Sequence, residues 1–111
     1  HWQTILPAYL QERQSLAGLI IVMDVRRPLT ELDTRMLDWF APRQKPIHIL
    51  LTKSDKLSRD KSMQALFKAQ KIVKEKWADF YGTPCSMQLF SSLKKIGVEE
   101  ADKVIQNWLS S

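Results

Sequence analysis

The sequence predicts an α/β protein in which three parallel strands are flanked by helices. Three observations carry this reading. Residues 18–24 and 47–52 are short, almost wholly apolar runs, and residues 85–90 form a third run interrupted by Ser86 and Gln88. The segments between the runs have helical periodicity. Polar and charged residues gather directly after each run. A strand buried on both faces reads as a continuous apolar stretch, and strands that alternate with helices build a parallel sheet with right-handed crossovers and helices on both faces.

The elements follow in order. Trp2, Ile5, Leu6, Tyr9 and Leu10 recur at helical spacing, which predicts an amphipathic helix over 2–14, with Pro7 a strain on its first turns. Gly18 to Asp24 is the first strand. Arg26, Arg27 and Pro28 break it, and Thr30 with Asp33 three residues later forms an approximate capping box that opens a helix through Phe40. Its inward stripe is Leu32, Met36, Leu37 and Phe40. Pro42 and Pro46 bracket the loop to the second strand, Ile47 to Thr52. Ser58 then caps a long helix from about Arg59 to Tyr81, closed by Gly82 and Pro84. Met63, Leu66, Phe67, Gln70, Val73, Trp77 and Phe80 are its expected inward stripe. Cys85 to Phe90 is the third strand, and Val98, Ala101, Val104, Ile105 and Trp108 mark a final helix.

Composition bounds the function. The chain has 111 residues, 44% hydrophobic and 26% charged, which fits one domain, residues 1–111, with a single core. The longest apolar stretch, Leu16 to Met23, is far short of the ~20 residues that cross a bilayer. One cysteine, Cys85, and two histidines, His1 and His48, exclude an internal disulfide and a structural zinc site, and point to a cytoplasmic setting. Seventeen basic against twelve acidic residues give a formal charge of +5. That balance favours a polyanionic partner such as a nucleotide or RNA, or else simply solvates the surface. His1 in place of an initiator Met suggests a fragment or a processed product.

In open α/β sheets ligands bind beyond the carboxyl ends of the strands. The second strand ends in Thr52-Lys53-Ser54-Asp55. A carboxylate there can accept parallel hydrogen bonds from guanine N1–H and the N2 amine, while a lysine stem lies along the purine face. Adenine offers neither donor, so it leaves the carboxylate unpaired, and charge-assisted bonds of ~1.5–3 kcal/mol make that discrimination worth several kcal/mol. The plainer alternative is a solvated turn in which Lys53 pairs with Asp55. The third strand ends in Phe90-Ser91-Ser92-Leu93-Lys94-Lys95. Small residues there leave backbone N–H groups open, and the Ser92 N–H can donate to guanine O6. Lys94 and Lys95 either assist or are only solvated.

Taken together, Asp24-Val25-Arg26-Arg27-Pro28-Leu29-Thr30 with Asp33, then Thr52-Lys53-Ser54-Asp55-Lys56-Leu57, then Phe90 to Lys95 with Gly97-Val98, closely resemble the C-terminal half of the EngB family of bacterial Ras-like GTPases. The resemblance covers essentially all of the chain. It implies the C-terminal half of a Ras-like P-loop GTPase fold, and a guanine site built from Thr52, Lys53, Ser54 and Asp55 with Ser91, Ser92 and Leu93. It makes Lys53 the stacking residue, Asp55 the base-reading carboxylate and Ser92 the donor to O6. Thr52 stands where most GTPases have Asn, as in other members of the family. GTP and GDP are the implied ligands, with Mg2+ in the parent protein. Ribosome large-subunit assembly and normal cell division or septation are the implied roles.

The sequence holds no Gly-x4-Gly-Lys-[Ser/Thr] and no Asp-x-x-Gly. On the resemblance, the phosphate loop, switch I and the magnesium-holding segment precede His1, so this stretch alone is expected not to hydrolyse GTP. The strand at 18–24 would then present a bare edge, which invites self-association. Around the long helix Lys56, Arg59, Lys61, Lys68, Lys71, Lys74 and Lys76 stand against Asp60, Glu75 and Asp79, an excess of four positive charges that suits ribosomal RNA or a lysine-rich solvated face. Trp39, Trp77 and Trp108 are expected in the core, and His48 is expected to be a strand residue without function. Asp24 and Arg26 are assigned structural or switch-adjacent roles, with no part in catalysis.

Two rivals stand beside this reading. A phosphorelay receiver also places an Asp, a Thr and a Lys at strand ends, here Asp24, Thr52 and Lys94, yet the acidic pair it needs before Asp24 is missing. A non-enzymatic basic RNA-binding module is the other.

Overall fold

The structure, a computed structural model, describes residues 17–110. The helix expected over 2–14 lies outside them. Strand β1 (Leu19–Asp24) leads to helix α1 (Glu31–Phe40), β2 (Ile47–Thr52), the long helix α2 (Arg59–Tyr81), β3 (Cys85–Leu89) and α3 (Val98–Ser110). The strands lie in the order β1-β2-β3, all parallel. Leu19 pairs with Ile47 and Ile47 with Cys85, while Asp24 pairs with Thr52 and Leu51 with Leu89. The carboxyl ends of the three strands therefore finish in one row.

Alternation divides the sheet into two faces. Leu19, Ile21, Met23, Ile47, Ile49, Leu51 and Met87 share one core with Met36, Leu37 and Phe40 of α1 and with Leu66, Ala69, Val73 and Trp77 of α2. Each such side chain removed from water contributes roughly 1.5–3 kcal/mol. On the other face His48 is buried between Ser86 and Gln88, 2.6 Å from the Ser86 hydroxyl and 2.7 Å from Gln88 Oε1. The Gln88 amide nitrogen donates to the Leu89 and Gly97 carbonyls, so its oxygen is left to accept from His48 Nε2–H while Nδ1 accepts from Ser86. That network ties β2 to β3 and to the start of α3.

The helix caps are those the sequence predicts. Thr30 Oγ1 accepts from the Asp33 N–H and the Asp33 carboxylate accepts from the Thr30 N–H, completing the capping box. Ser58 accepts from the Lys61 N–H at the start of α2.

Two expected stripes need correction. In α2 the buried ridge is Ser62, Leu66, Ala69, Val73 and Trp77. Phe67 follows Leu66 by one residue, about 100° around the helix, and is 60% exposed. Residues Lys74–Ala78 form a π-helical turn between α-helical Arg59–Val73 and Asp79–Tyr81. That wider turn takes up an extra residue, so Phe80 is carried off the buried face and is 75% exposed. In α3 only Ala101 is fully buried; Val104 and Trp108 are half-buried, and Val98 and Ile105 are exposed.

The tryptophans divide as the packing allows. Trp77 is buried and its indole N–H donates to Asp38 at 2.7 Å, which joins α1 to α2. Trp39 is half-buried under the Arg43 guanidinium, 4.4 Å from its ring centre. A Cβ on Gly18 would lie 2.8 Å from the Trp108 ring, so the absence of a side chain there lets α3 sit against the entry to β1.

Candidate functional site

The site is assembled by two turns at the carboxyl edge of the sheet. After β2 the chain turns sharply at Lys53, which takes the left-handed conformation (φ 59°, ψ 33°) at a cost of roughly 1–2 kcal/mol for a residue with a Cβ. A single 3₁₀ turn, Ser54–Lys56, then brings Asp55 back over the strand ends. After β3, Ser91 and Ile96 exchange backbone hydrogen bonds of 3.0 and 2.9 Å, which pinch residues 92–95 into a small projecting loop. Lys95 (φ 55°) and Gly97 (φ 77°) provide the left-handed positions that close it.

The two turns are joined. Ser54 N–H donates to the Phe90 carbonyl at 3.2 Å, and Phe90 N–H donates to Leu51 at 2.8 Å. The buried Ser91 hydroxyl donates to Asp55 Oδ1 at 2.6 Å and accepts the Lys94 N–H at 3.1 Å. This bond, more than any other interaction, holds the Asp55 carboxyl below its ordinary value; the charges of Lys56 and Lys94 act in the same direction, and partial desolvation opposes them. Asp55 is thus a carboxylate with one oxygen anchored from behind.

Between the turns lies a cleft of ≈ 270 Å3, lined by Thr52, Lys53, Asp55, Lys56, Phe90, Ser92 and Leu93. Of the seven residues singled out in the sequence, five reach it: Thr52, Lys53, Asp55, Ser92 and Leu93. Leu93 is 70% exposed at its rim. The other two stand behind the wall. Ser54 is buried, and its carbonyl accepts the Ser62 hydroxyl of α2 at 3.2 Å. Ser91 anchors Asp55. Thr52 also has a structural task, since its hydroxyl donates to the Met23 carbonyl at 3.1 Å and pins β1 to β2.

Asp24 and Arg26 form the feature least visible in sequence. The Arg26 guanidinium grips Asp24 through two bonds of 3.0 and 2.8 Å, and the Arg26 N–H adds a third of 2.8 Å. The Arg26 side-chain hydrogen bond, chiefly, lowers the Asp24 carboxyl to about 2, with a smaller contribution from Lys53. Asp55 in turn adds to the charge stabilisation of Arg26. Two acids and two bases thus alternate across the ends of β1 and β2. The i, i+2 spacing of Asp24 and Arg26 after a strand was the available signal.

A larger hollow of ≈ 520 Å3 lies beside β1, lined by Val22, Asp24, Arg26, Thr30 and Asp33 among others. It opens where β1 has no described neighbour, and Val22 on that strand is 59% exposed. Among the described residues no three His, Cys, Asp or Glu side chains converge to hold a metal ion, and no helix is long and apolar enough to cross a membrane.

No protein-family model matches the chain. Among curated proteins it is 53% identical over 109 residues to the probable GTP-binding protein EngB of Paraburkholderia xenovorans, covering 98% of this chain and 50% of that protein. EngB of Methylobacillus flagellatus is 53% identical with the same coverage, and EngB of Nitrosomonas europaea is 48% identical over all 111 residues and 48% of its own length. The chain spans about half the length of these relatives. Among solved structures, translation elongation factor SelB of Methanococcus maripaludis in its apo form superposes with a TM-score of 0.79 at 15% identity, over 98% of this chain and 24% of SelB. SelB from the same organism in complex with the GTP analogue GppNHp gives 0.72 at 20% identity. The parallel three-stranded sheet is therefore an arrangement found within SelB, and the chain itself matches a C-terminal fragment of the EngB proteins.

Proposed function

We propose that this chain is the guanine-reading half of an EngB-type GTPase domain, with GTP and GDP as its ligands. The observation that carries the reading is the Ser91–Asp55 hydrogen bond of 2.6 Å, which couples the two strand ends that must cooperate to read one base. The anchored carboxylate keeps lone pairs for guanine N1–H and N2–H2. The left-handed turn at Lys53 brings its side chain to the wall of the same cleft, where the aliphatic stem covers the purine face. The Ser92 N–H, on the exposed side of the 91–96 loop, donates to O6. The donor set fits guanine and rejects adenine, which presents an acceptor at N1 and no amine at C2.

On this reading phosphate and Mg2+ contacts fall to residues beyond the half of the relatives that this chain spans, and the base contacts above involve no metal ion. On this reading the 111-residue chain is a partial GTPase domain that binds guanine nucleotide weakly and does not turn GTP over. On this reading the complete protein acts in the cytoplasm on the large ribosomal subunit and supports septation, and the basic surface of α2 suits the ribosomal part of that role. The outer edge of β1, which pairs with no strand among the described residues, and the exposed Val22 favour self-association of the chain when it is alone.

Competition of GDP, ADP and XDP against a fluorescent guanine nucleotide tests the reading. Displacement by GDP but not ADP is the expected result; equal displacement by ADP overturns it.

A further inference from the structure

We propose that the solvent-facing ridge of α2 around Phe67 is a docking surface for single-stranded RNA. The ridge is opposite the buried one: Gln64, Phe67, Lys68, Lys71 and Glu75 are exposed at helical spacing, while Ser62, Leu66, Ala69 and Val73 face the core. A phenyl ring 60% exposed beside two lysines is not a core residue displaced by poor packing, because Leu66 already fills the adjoining core position.

The charges around it are uncommitted. Lys61, Lys68, Lys71 and Lys76 form no ion pair among the described residues, whereas Lys74 is paired with Asp79 at 2.8 Å. Cations left free along one helix attract phosphates without regard to sequence, and an exposed aromatic ring among them offers a face on which an unpaired base stacks. A duplex keeps its bases stacked inward and has no use for Phe67, so the combination selects a single strand. The guanine cleft uses none of these residues. That the strand is RNA rests on the ribosome role proposed above.

Fluorescence anisotropy of a 5′-labelled uridine 12-mer with the protein as its gene encodes it tests the surface. The expected result is salt-dependent binding of the 12-mer that exceeds binding of the same strand in a duplex. Phe67→Ala is expected to weaken it roughly 5- to 150-fold with an unchanged salt slope. Lys68→Glu with Lys71→Glu is expected to lower the slope by about 1.4. Guanine nucleotide affinity, measured in parallel, stays as in the wild type and shows that each variant is folded. Absence of binding, equal binding of the duplex, or Phe67→Ala binding like the wild type overturns the proposal. Co-sedimentation with large ribosomal subunits separates the two readings: a protein that binds the 12-mer through Phe67 but ignores the subunits keeps the surface and loses the ribosome role.

Discussion

Ser91 donates its hydroxyl to Asp55 across 2.6 Å, although the two residues lie 36 positions apart in sequence. The bond has two consequences. It holds the carboxylate in place, and by stabilising the charged form it lowers the pH at which that carboxylate takes up a proton. A serine with no exposed surface thereby governs a site it does not line.

Ser91→Ala is therefore expected to weaken guanine nucleotide binding about tenfold, the value of one net hydrogen bond, with little change in folding stability. Titration of Asp55 by carbon-detected NMR checks the cause. Its pKa should rise towards 3.8 in the variant, because the largest contribution lowering it has been removed.

Asp55→Asn exchanges one acceptor for a donor. Guanine N2–H2 then meets an amide N–H2, while xanthine, which carries an oxygen at C2, pairs with it. Preference is expected to move from GDP to XDP by more than tenfold in a competition assay. Unchanged preference for GDP would place the base elsewhere.

Asp24 confers an acid-dependent stability with a definite sign. Its folded carboxyl lies at about 2 against 3.8 when unpaired, so the stabilisation is complete above pH 4 and is lost as the pH falls towards 2. Urea midpoints measured between pH 5 and pH 2 should drop with acidification. Arg26→Gln, which removes the main cause of the shift, should flatten that part of the curve.

Trp77 to Asp38 is the side-chain hydrogen bond that ties α1 to α2. Asp38→Ala leaves a buried indole N–H without its acceptor, and a loss of roughly 1–3 kcal/mol is expected in chemical denaturation. Asp38→Asn, which keeps an acceptor oxygen, should recover most of it.

Gly97 closes the 91–96 loop with φ 77°, and a Cβ there would sit 2.3 Å from the Leu89 carbonyl oxygen. Gly97→Ala must displace the strand end or the loop, so it should both destabilise the fold and weaken nucleotide binding. A stable variant with wild-type binding would show that the loop is not the rigid part of the site.

The sequence alone determined the elements that rest on local chemistry: the three apolar runs, the Thr30–Asp33 capping box, the Ser58 cap, and the residue types able to read a purine edge after β2 and β3. Each depends on neighbours within a few positions. It misplaced Phe67, which stands about 100° around the helix from Leu66 and so off the buried ridge, and it misplaced Phe80 because the π turn at Lys74–Ala78 breaks the constant 100° step of a helical wheel. It also could not divide Ser54 and Ser91 from the cleft-lining residues. Only the tertiary structure decided that Ser91 stands behind Asp55, that Arg26 grips Asp24 beside them, and that Thr52 pins β1 to β2. Those relationships are set by strand register and by two left-handed turns, and register is fixed by packing summed over the whole sheet, which no single stretch of sequence contains.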